Sequence, residues 1–213
     1  MQLSELKKSY EKKRSEIKRR LEDFKRIWKK SDEDVFVELC FCLLTPQSKA
    51  KKVDRAIKSL LENNLLFSGN KDQILKELKN SGVRFHKNKT NYIIEARKFF
   101  TNNGKIDIKS KLNSGTADNK REWLVENVKG LGYKEASHFL RNIGLGFELA
   151  ILDRHIMENL MKYGVIDEIP ECLSRKCYLF LEEKMKKFSK QVNIPLAELD
   201  LLFWSEETGE IFK

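Results

Sequence analysis

The apolar residues Leu3, Leu6, Tyr10, Ile17, Leu21, Phe24 and Trp28 recur every three or four positions, which predicts a long amphipathic helix over the first thirty residues, with room for one break. Its outer face is very basic. Ser31 with Asp34 has the form of a capping box and starts a second helix. There Val35, Phe36, Leu39, Cys40 and Leu43 nearly encircle the axis, so this helix belongs in the interior. Pro46 disfavours helical geometry at Thr45, and Thr45-Pro46-Gln47-Ser48 is therefore a loop before a helix carrying Val53, Ile57, Leu60 and Leu61. Ile74, Leu75 and Leu78 mark a short helix stopped by Gly82, and Tyr92, Ile93, Ala96 and Phe100 mark another, with a basic loop over Val83 to Lys89 between them. Thr101 to Lys120, rich in Asn, Gly and Ser, reads as a connecting loop. Helices follow over Asn119 to Asn127, Tyr133 to Ile143 and Arg154 to Tyr163, then one with Tyr178, Leu181, Met185, Phe188 and Val192 in a single seam, and a last one started by Pro195. No run alternates with strand period over a useful length, so the expected class is all-α, without internal repeats.

Charge narrows the partner. Lys and Arg outnumber Asp and Glu by 42 to 32, a formal net charge of +10, which favours a polyanion and above all nucleic acid over a merely solvated lysine-rich surface. There is no apolar run of about 18 residues and the N-terminus is charged from the start, so a cytoplasmic protein without a membrane segment is expected. The four cysteines, Cys40, Cys42, Cys172 and Cys177, do not make a disulfide framework for a chain of this size in that compartment. His86, His138 and His155 lack metal-ligand spacing, and no metal or organic cofactor is expected.

The chemistry concentrates in Val128 to Gly144, VKGLGYKEASHFLRNIG. Gly130 and Gly132 stand between two helical segments and suit a tight turn where another backbone comes close. A glycine-rich turn opening a helix leaves N–H groups without helical partners at the positive end of the dipole, which suits a phosphate; the bland reading is an ordinary helix-turn-helix connection. In the second helix Ala136, Phe139, Leu140 and Ile143 form one buried stripe, while Lys134, His138 and Arg141 share a polar face. Lys134 lies in the first turn, where the dipole disfavours a second positive charge and favours the amine form that a nucleophile needs. Nineteen residues on, the apolar run Ala150-Ile-Leu ends in Asp153, a capping residue for the next helix.

Taken together, V-K-G-L-G-Y-K-E-A-S-H-F-L-R-N followed by A-I-L-D-R-H-I closely resembles the helix-hairpin-helix and following aspartate of the DNA glycosylase/AP lyase superfamily that includes endonuclease III. More narrowly it resembles the second class of 8-oxoguanine DNA glycosylases, found in archaea and some bacteria. The resemblance implies Lys134 as Schiff-base nucleophile and Asp153 as the carboxylate facing the sugar, with Gly130 and Gly132 gripping phosphate. It implies that Gln47 enters the duplex where a nucleotide has been pushed out, although relatives read T-A-N where this chain reads T-P-Q. It also implies phosphate contacts from Arg84 and Lys87, with Phe85 at the extruded base or its gap.

At the other end, Trp204 and Lys213 keep the spacing of a helix with D-L-x-x-W whose following terminal lysine enters the base pocket, and Ser205 departs from the aromatic residue often found there. The implied architecture is a helical barrel over residues 31–149, and a second lobe in which residues 1–30 pack with residues 150–213, with the active site in the cleft. The implied partner is double-stranded DNA containing oxidised guanine, acted on by a monomer. Two other readings stay open: an endonuclease III-type enzyme for oxidised pyrimidines, disfavoured because only Cys172 and Cys177 stand where that group carries four grouped cysteines around an iron–sulfur cluster, and a non-catalytic helix-hairpin-helix binding module.

Overall fold

Two helices with almost no polar face, α2 (Asp32–Leu44) and α12 (Leu196–Thr208), each centre one unit of the fold. In the computed structural model, which describes residues 2–212, residues 30–139 form one compact unit, and residues 1–29 with 140–213 form the other. Twelve helices and one two-stranded ladder make up the described residues.

The unit over residues 30–139 begins with α2, whose capping box closes as its sequence predicts: the Ser31 hydroxyl accepts from Asp34 N–H and the Asp34 carboxylate accepts from Ser31 N–H. Val35, Phe36, Leu39, Cys40, Phe41, Cys42, Leu43 and Leu44 are wholly buried. Burial pushes the Cys40 thiol far above its ordinary range, so it behaves as a small core residue. Against α2 pack α3 (Ala50–Glu62) and α6 (His86–Phe100), with the single turn α4 (Leu65–Ser68) on α3 and α5 (Lys71–Asn80) between α3 and α6. The stretch expected as a basic loop up to Lys89 is shorter than that, because α6 starts at His86 and buries Lys89 and Thr90.

The stretch Thr101 to Lys120 is not a plain loop. β1 (Thr101–Asn102) and β2 (Lys105–Ile106) pair antiparallel across Asn103-Gly104, both with positive φ, the two-residue turn that matches strand twist. After α7 (Lys109–Leu112), α8 (Ala117–Asn127) starts two residues earlier than its apolar period indicates. Thr116 and Asn119 cap it reciprocally, a box with asparagine in the place of the usual acid or glutamine.

In the other unit, α1 (Gln2–Trp28) runs unbroken, packs against α12 and buries Leu6, Tyr10, Ile17, Leu21 and Phe24. The Tyr10 hydroxyl donates to the buried Glu198 carboxylate of α12 at 2.6 Å. Helices α10 (Arg154–Lys162) and α11 (Arg175–Val192) complete it, with the rings of Tyr163, Phe188 and Phe203 stacked between them and α12. The boundary between the units falls inside α9 (Tyr133–Asn142), after Phe139, and not at 149/150. The reason is local: Gly144, with φ +77, stands so close to α1 that a Cβ there would lie 2.7 Å from the Lys25 Cα.

Candidate active site and nucleic-acid interface

Between α8 and α9 the chain turns over Val128 to Gly132, with Leu131 N–H bonded to the Val128 carbonyl and both side chains buried. Gly130 has φ +96, and a Cβ would meet the Tyr92 ring of α6 at 2.5 Å, so the turn is pressed flat on that ring. Gly132 is different: its N–H donates to the Glu135 carboxylate at 3.3 Å, and the other Glu135 oxygen pairs with the Lys134 ammonium at 2.9 Å. Thus Glu135, an ordinary polar position by its sequence pattern, occupies one of the N–H groups expected for phosphate and tethers the expected nucleophile. Lys134 itself keeps a quarter of its side chain exposed.

The polar face of α9 turns inward after its first turn. His138 packs edge-on to Phe41 at 6.0 Å between centroids, and Arg141 is 3 % exposed, so neither belongs to a solvent-facing basic strip. Ala136, Phe139, Leu140 and Ile143 are fully buried, as their period predicts.

Near the start of α6, Arg84, Phe85 and Lys87 are exposed, and the Arg84 guanidinium lies 5.8 Å from the Phe85 ring centre. Phe85 is 53 % exposed in a left-handed backbone (φ 56) at the N-cap position of α6. Gln47, also exposed and left-handed (φ 54), sits in a turn closed by a 2.9 Å bond from Ser48 N–H to the Thr45 carbonyl. Beneath them lies Lys89, in the first turn of α6. Its ammonium donates to the Leu44 and Pro46 carbonyls, both at 2.7 Å, and to the Ser48 hydroxyl at 3.0 Å. Burial first, then repulsion from Lys134 and Arg84, brings its pKa down to about 8, with Glu135 opposing. The signal was present: Lys89, Ile93, Ala96 and Phe100 share one stripe, and a lysine on a buried stripe needs partners.

Asp153 caps α10, its Oδ1 accepting from Ile156 N–H at 2.9 Å. Only one oxygen is engaged by that cap, and the residue is half-buried. Behind it Asp200 of α12 is buried and paired with Arg141 at 3.4 Å. Desolvation pushes the Asp200 carboxyl up to about 7, Arg141 pulls it down, and the Asp153 charge pushes it up again. Arg141 and Arg20 lie over the Phe24 ring at 4.8 and 4.5 Å, and Arg20 Nε donates to the Phe212 carbonyl at 2.6 Å. Phe212 in turn approaches Trp204, with ring centres 6.5 Å apart. Ser205 is buried and accepts from Lys13 Nζ at 2.9 Å. Lys213 lies outside the described residues.

Residues 17–194 match a family model described as 8-oxoguanine DNA glycosylase. The chain is 46% identical over 212 residues to the 8-oxoguanine DNA glycosylase/AP lyase of Fusobacterium nucleatum, covering 99% of this chain and 97% of that one. It is 42% identical over 212 residues to the enzyme of that name from Methanocaldococcus jannaschii, covering 98% of this chain and 99% of the other. Among solved structures it is similar to the Thermotoga maritima 8-oxoguanine DNA glycosylase, with TM-score 0.88, 35% identity and coverage of 99% and 98%. It is likewise similar to the Methanocaldococcus jannaschii 8-oxoguanine glycosylase/lyase in complex with a 15mer DNA containing 8-oxoguanine, with TM-score 0.89, 38% identity and full coverage of both chains. The chain belongs to the 8-oxoguanine DNA glycosylase family.

Proposed function

We propose that this protein excises 8-oxoguanine from duplex DNA and then nicks the strand 3′ to the abasic site, using Lys134 as nucleophile. The observation that carries this reading is the likeness, over the full length of both chains, to a relative solved with DNA containing 8-oxoguanine. A base inside a duplex has to be extruded first, at a cost of a few kcal/mol of unstacking. The hairpin at Gly130 and Gly132, with Arg84 and Lys87, offsets that cost by holding phosphates, with phosphate replacing the Glu135 carboxylate at the Gly132 N–H, and Gln47 fills the gap with an amide that can pair with the orphaned base. Phe85 lies at the extruded base or the gap, while Trp204 offers an aromatic face to the flipped purine and Lys213 reads its polar edge.

Lys134, as the neutral amine, adds through Nζ to the sugar C1′; the C1′–N9 bond breaks and its electron pair leaves with the base, which is protonated. The carboxylate of Asp153 stabilises the positive charge that develops on the sugar. The nitrogen lone pair then opens the C1′–O4′ bond, whose electron pair goes to O4′ and takes a proton from solvent; the resulting protonated imine acidifies C2′, a proton is lost there, and the 3′ C–O bond breaks with its electron pair on the departing phosphate. The same lysine and aspartate would serve a pyrimidine-lesion enzyme, and the family match favours the purine lesion. We take the working form to be a cytoplasmic monomer; among the described residues no helix is long and apolar enough to cross a membrane.

The test is a panel of duplexes carrying 8-oxoguanine, oxidised pyrimidines or an abasic site, each run with and without borohydride. Release of 8-oxoguanine with a trapped covalent adduct is expected. Preference for the pyrimidine lesions would move the enzyme to the endonuclease III type, and binding with neither cleavage nor adduct would leave a binding module.

A further inference from the structure

We propose that Lys89 is a positioning residue for base excision: from beneath the surface it holds the Thr45–Ser48 turn in the conformation that presents Gln47. The inference rests on the functional reading above, in which Gln47 fills the vacated space.

Thr45-Pro46-Gln47-Ser48 is a turn with proline second and a positive φ third, a place where glycine or asparagine is the usual occupant. Five non-glycine residues among those described have positive φ, and three of them, Asn64, Asn103 and Asn193, are the residue type that tolerates it. The other two are Gln47 and Phe85. Both lie in one braced cluster: the Ser48 hydroxyl accepts from Lys89 Nζ at 3.0 Å and from Arg84 N–H at 3.0 Å, tying the Gln47 turn to the Phe85 turn. Strained residues persist where their surroundings over-determine them.

Lys89 provides that surrounding. All three of its ammonium protons have acceptors, two of them on Pro46 and Ser48, the neighbours on either side of Gln47. The third, the Leu44 carbonyl, belongs to the last turn of α2, where a cation also suits the helix dipole. A helix end alone could be satisfied by water or a surface side chain. Burying an ammonium at 3 % exposure is costly, and here it fixes a loop whose central side chain makes no use of the bonds and projects outward.

The readout is a ratio: the rate of 8-oxoguanine excision from duplex over the rate of borohydride trapping on a single-stranded oligonucleotide with an abasic site, which has no orphaned base to meet. Loss of the charge near Lys134 acts on both rates and cancels. Lys89→Met should lower the ratio about 30-fold, in line with the cost of misplacing a group by an ångström. Ser48→Ala, which leaves the charge in place and disturbs the packing less, should lower it about fivefold. In a Gln47→Ala background neither change should lower the ratio further by more than about twofold. The inference is overturned if Lys89→Met and Ser48→Ala depress both rates equally with a fall in melting temperature, if their effects on the ratio persist undiminished without Gln47, or if Gln47→Ala leaves the ratio unchanged. If Lys89→Met does not fold, Ser48→Ala decides alone. A wild-type protein that neither releases 8-oxoguanine nor forms an adduct would overturn the functional reading instead, and the inference with it.

Discussion

Replacing Gly130 by alanine should damage the hairpin far more than the same change at Gly132. At Gly130 the backbone has φ +96, a region that costs an L-residue about 1–2 kcal/mol. The added methyl would lie 2.5, 2.7 and 2.9 Å from three carbons of the Tyr92 ring, where ordinary contact is about 3.5–4.0 Å. The ring has to retreat by about an ångström, and such overpacking costs about 1–3 kcal/mol. Together these give about 2–5 kcal/mol. At Gly132 the nearest atom to a new Cβ is the Glu135 carboxylate oxygen at 3.1 Å, the free end of a side chain that can swing, and the expected cost is below about 1 kcal/mol. With about 2–4 °C lost per kcal/mol in a chain of this size, Gly130→Ala should melt roughly 10 °C lower and Gly132→Ala within about 3 °C of the parent. Thermal unfolding of the purified variants, followed by circular dichroism, measures both. Equal melting temperatures would refute the claim that the turn is pressed on Tyr92, and a greater loss at Gly132 would reverse the assignment of the two glycines.

Lys134→Gln should retain duplex binding and lose the borohydride-trapped adduct, because an amide cannot form the imine; an adduct at parental yield would place the nucleophile elsewhere. Asp153→Asn keeps a side-chain acceptor for Ile156 N–H but loses the charge, so lesion cleavage should slow about 100-fold with little change in melting temperature, and a rate within a few fold would reduce Asp153 to a cap. Duplex affinity should fall at least tenfold between about 50 and 200 mM salt, measured by fluorescence anisotropy, and affinity indifferent to salt would remove the phosphate grip. Lys89 also predicts a pH effect on stability. Its folded pKa, about 8, lies below the unfolded value of about 10.4, so the native state releases this proton first and the Lys89 contribution rises with pH through that window. Urea midpoints of parent and Lys89→Met at pH 8 and pH 10 should therefore diverge in favour of the parent, by about 2 kcal/mol, whereas a constant difference would contradict the shift.

Sequence period was most informative where one helix buries one face. The stripe of α9, that of α1 apart from the exposed Leu3 and half-buried Trp28 at its ends, and the all-round apolar α2 appear as the spacing predicts, because each depends only on which side chains are apolar. The capping box at Ser31 was legible for a similar reason: both partners lie within one turn. The loop expected over Thr101 to Lys120 hid a hairpin and a helix start. Strands of two residues are too short to show a period, and the Thr116–Asn119 box departs from the usual pair.

The buried charges show what pattern alone could not assign. Lys89 and Arg121 each sit on an apolar stripe, Arg121 with Ala117, Leu124 and Val128, and each has a partner from elsewhere in the chain, Arg121 in addition to a 2.6 Å ion pair with Asp118 of its own helix. Arg121 meets Ser137, sixteen residues away, and Lys89 meets Leu44, forty-five away. A charge on a buried face is therefore readable from sequence as a demand for partners, but their identity is a property of the fold. The same holds for Phe212. Its carbonyl accepts from Arg20, 192 positions earlier, whose guanidinium shares the Phe24 ring with that of Arg141, itself paired with Asp200. A change at Phe24 would thus disturb both the partner of Asp200 and the anchor of the Phe212 segment, although it lies in neither.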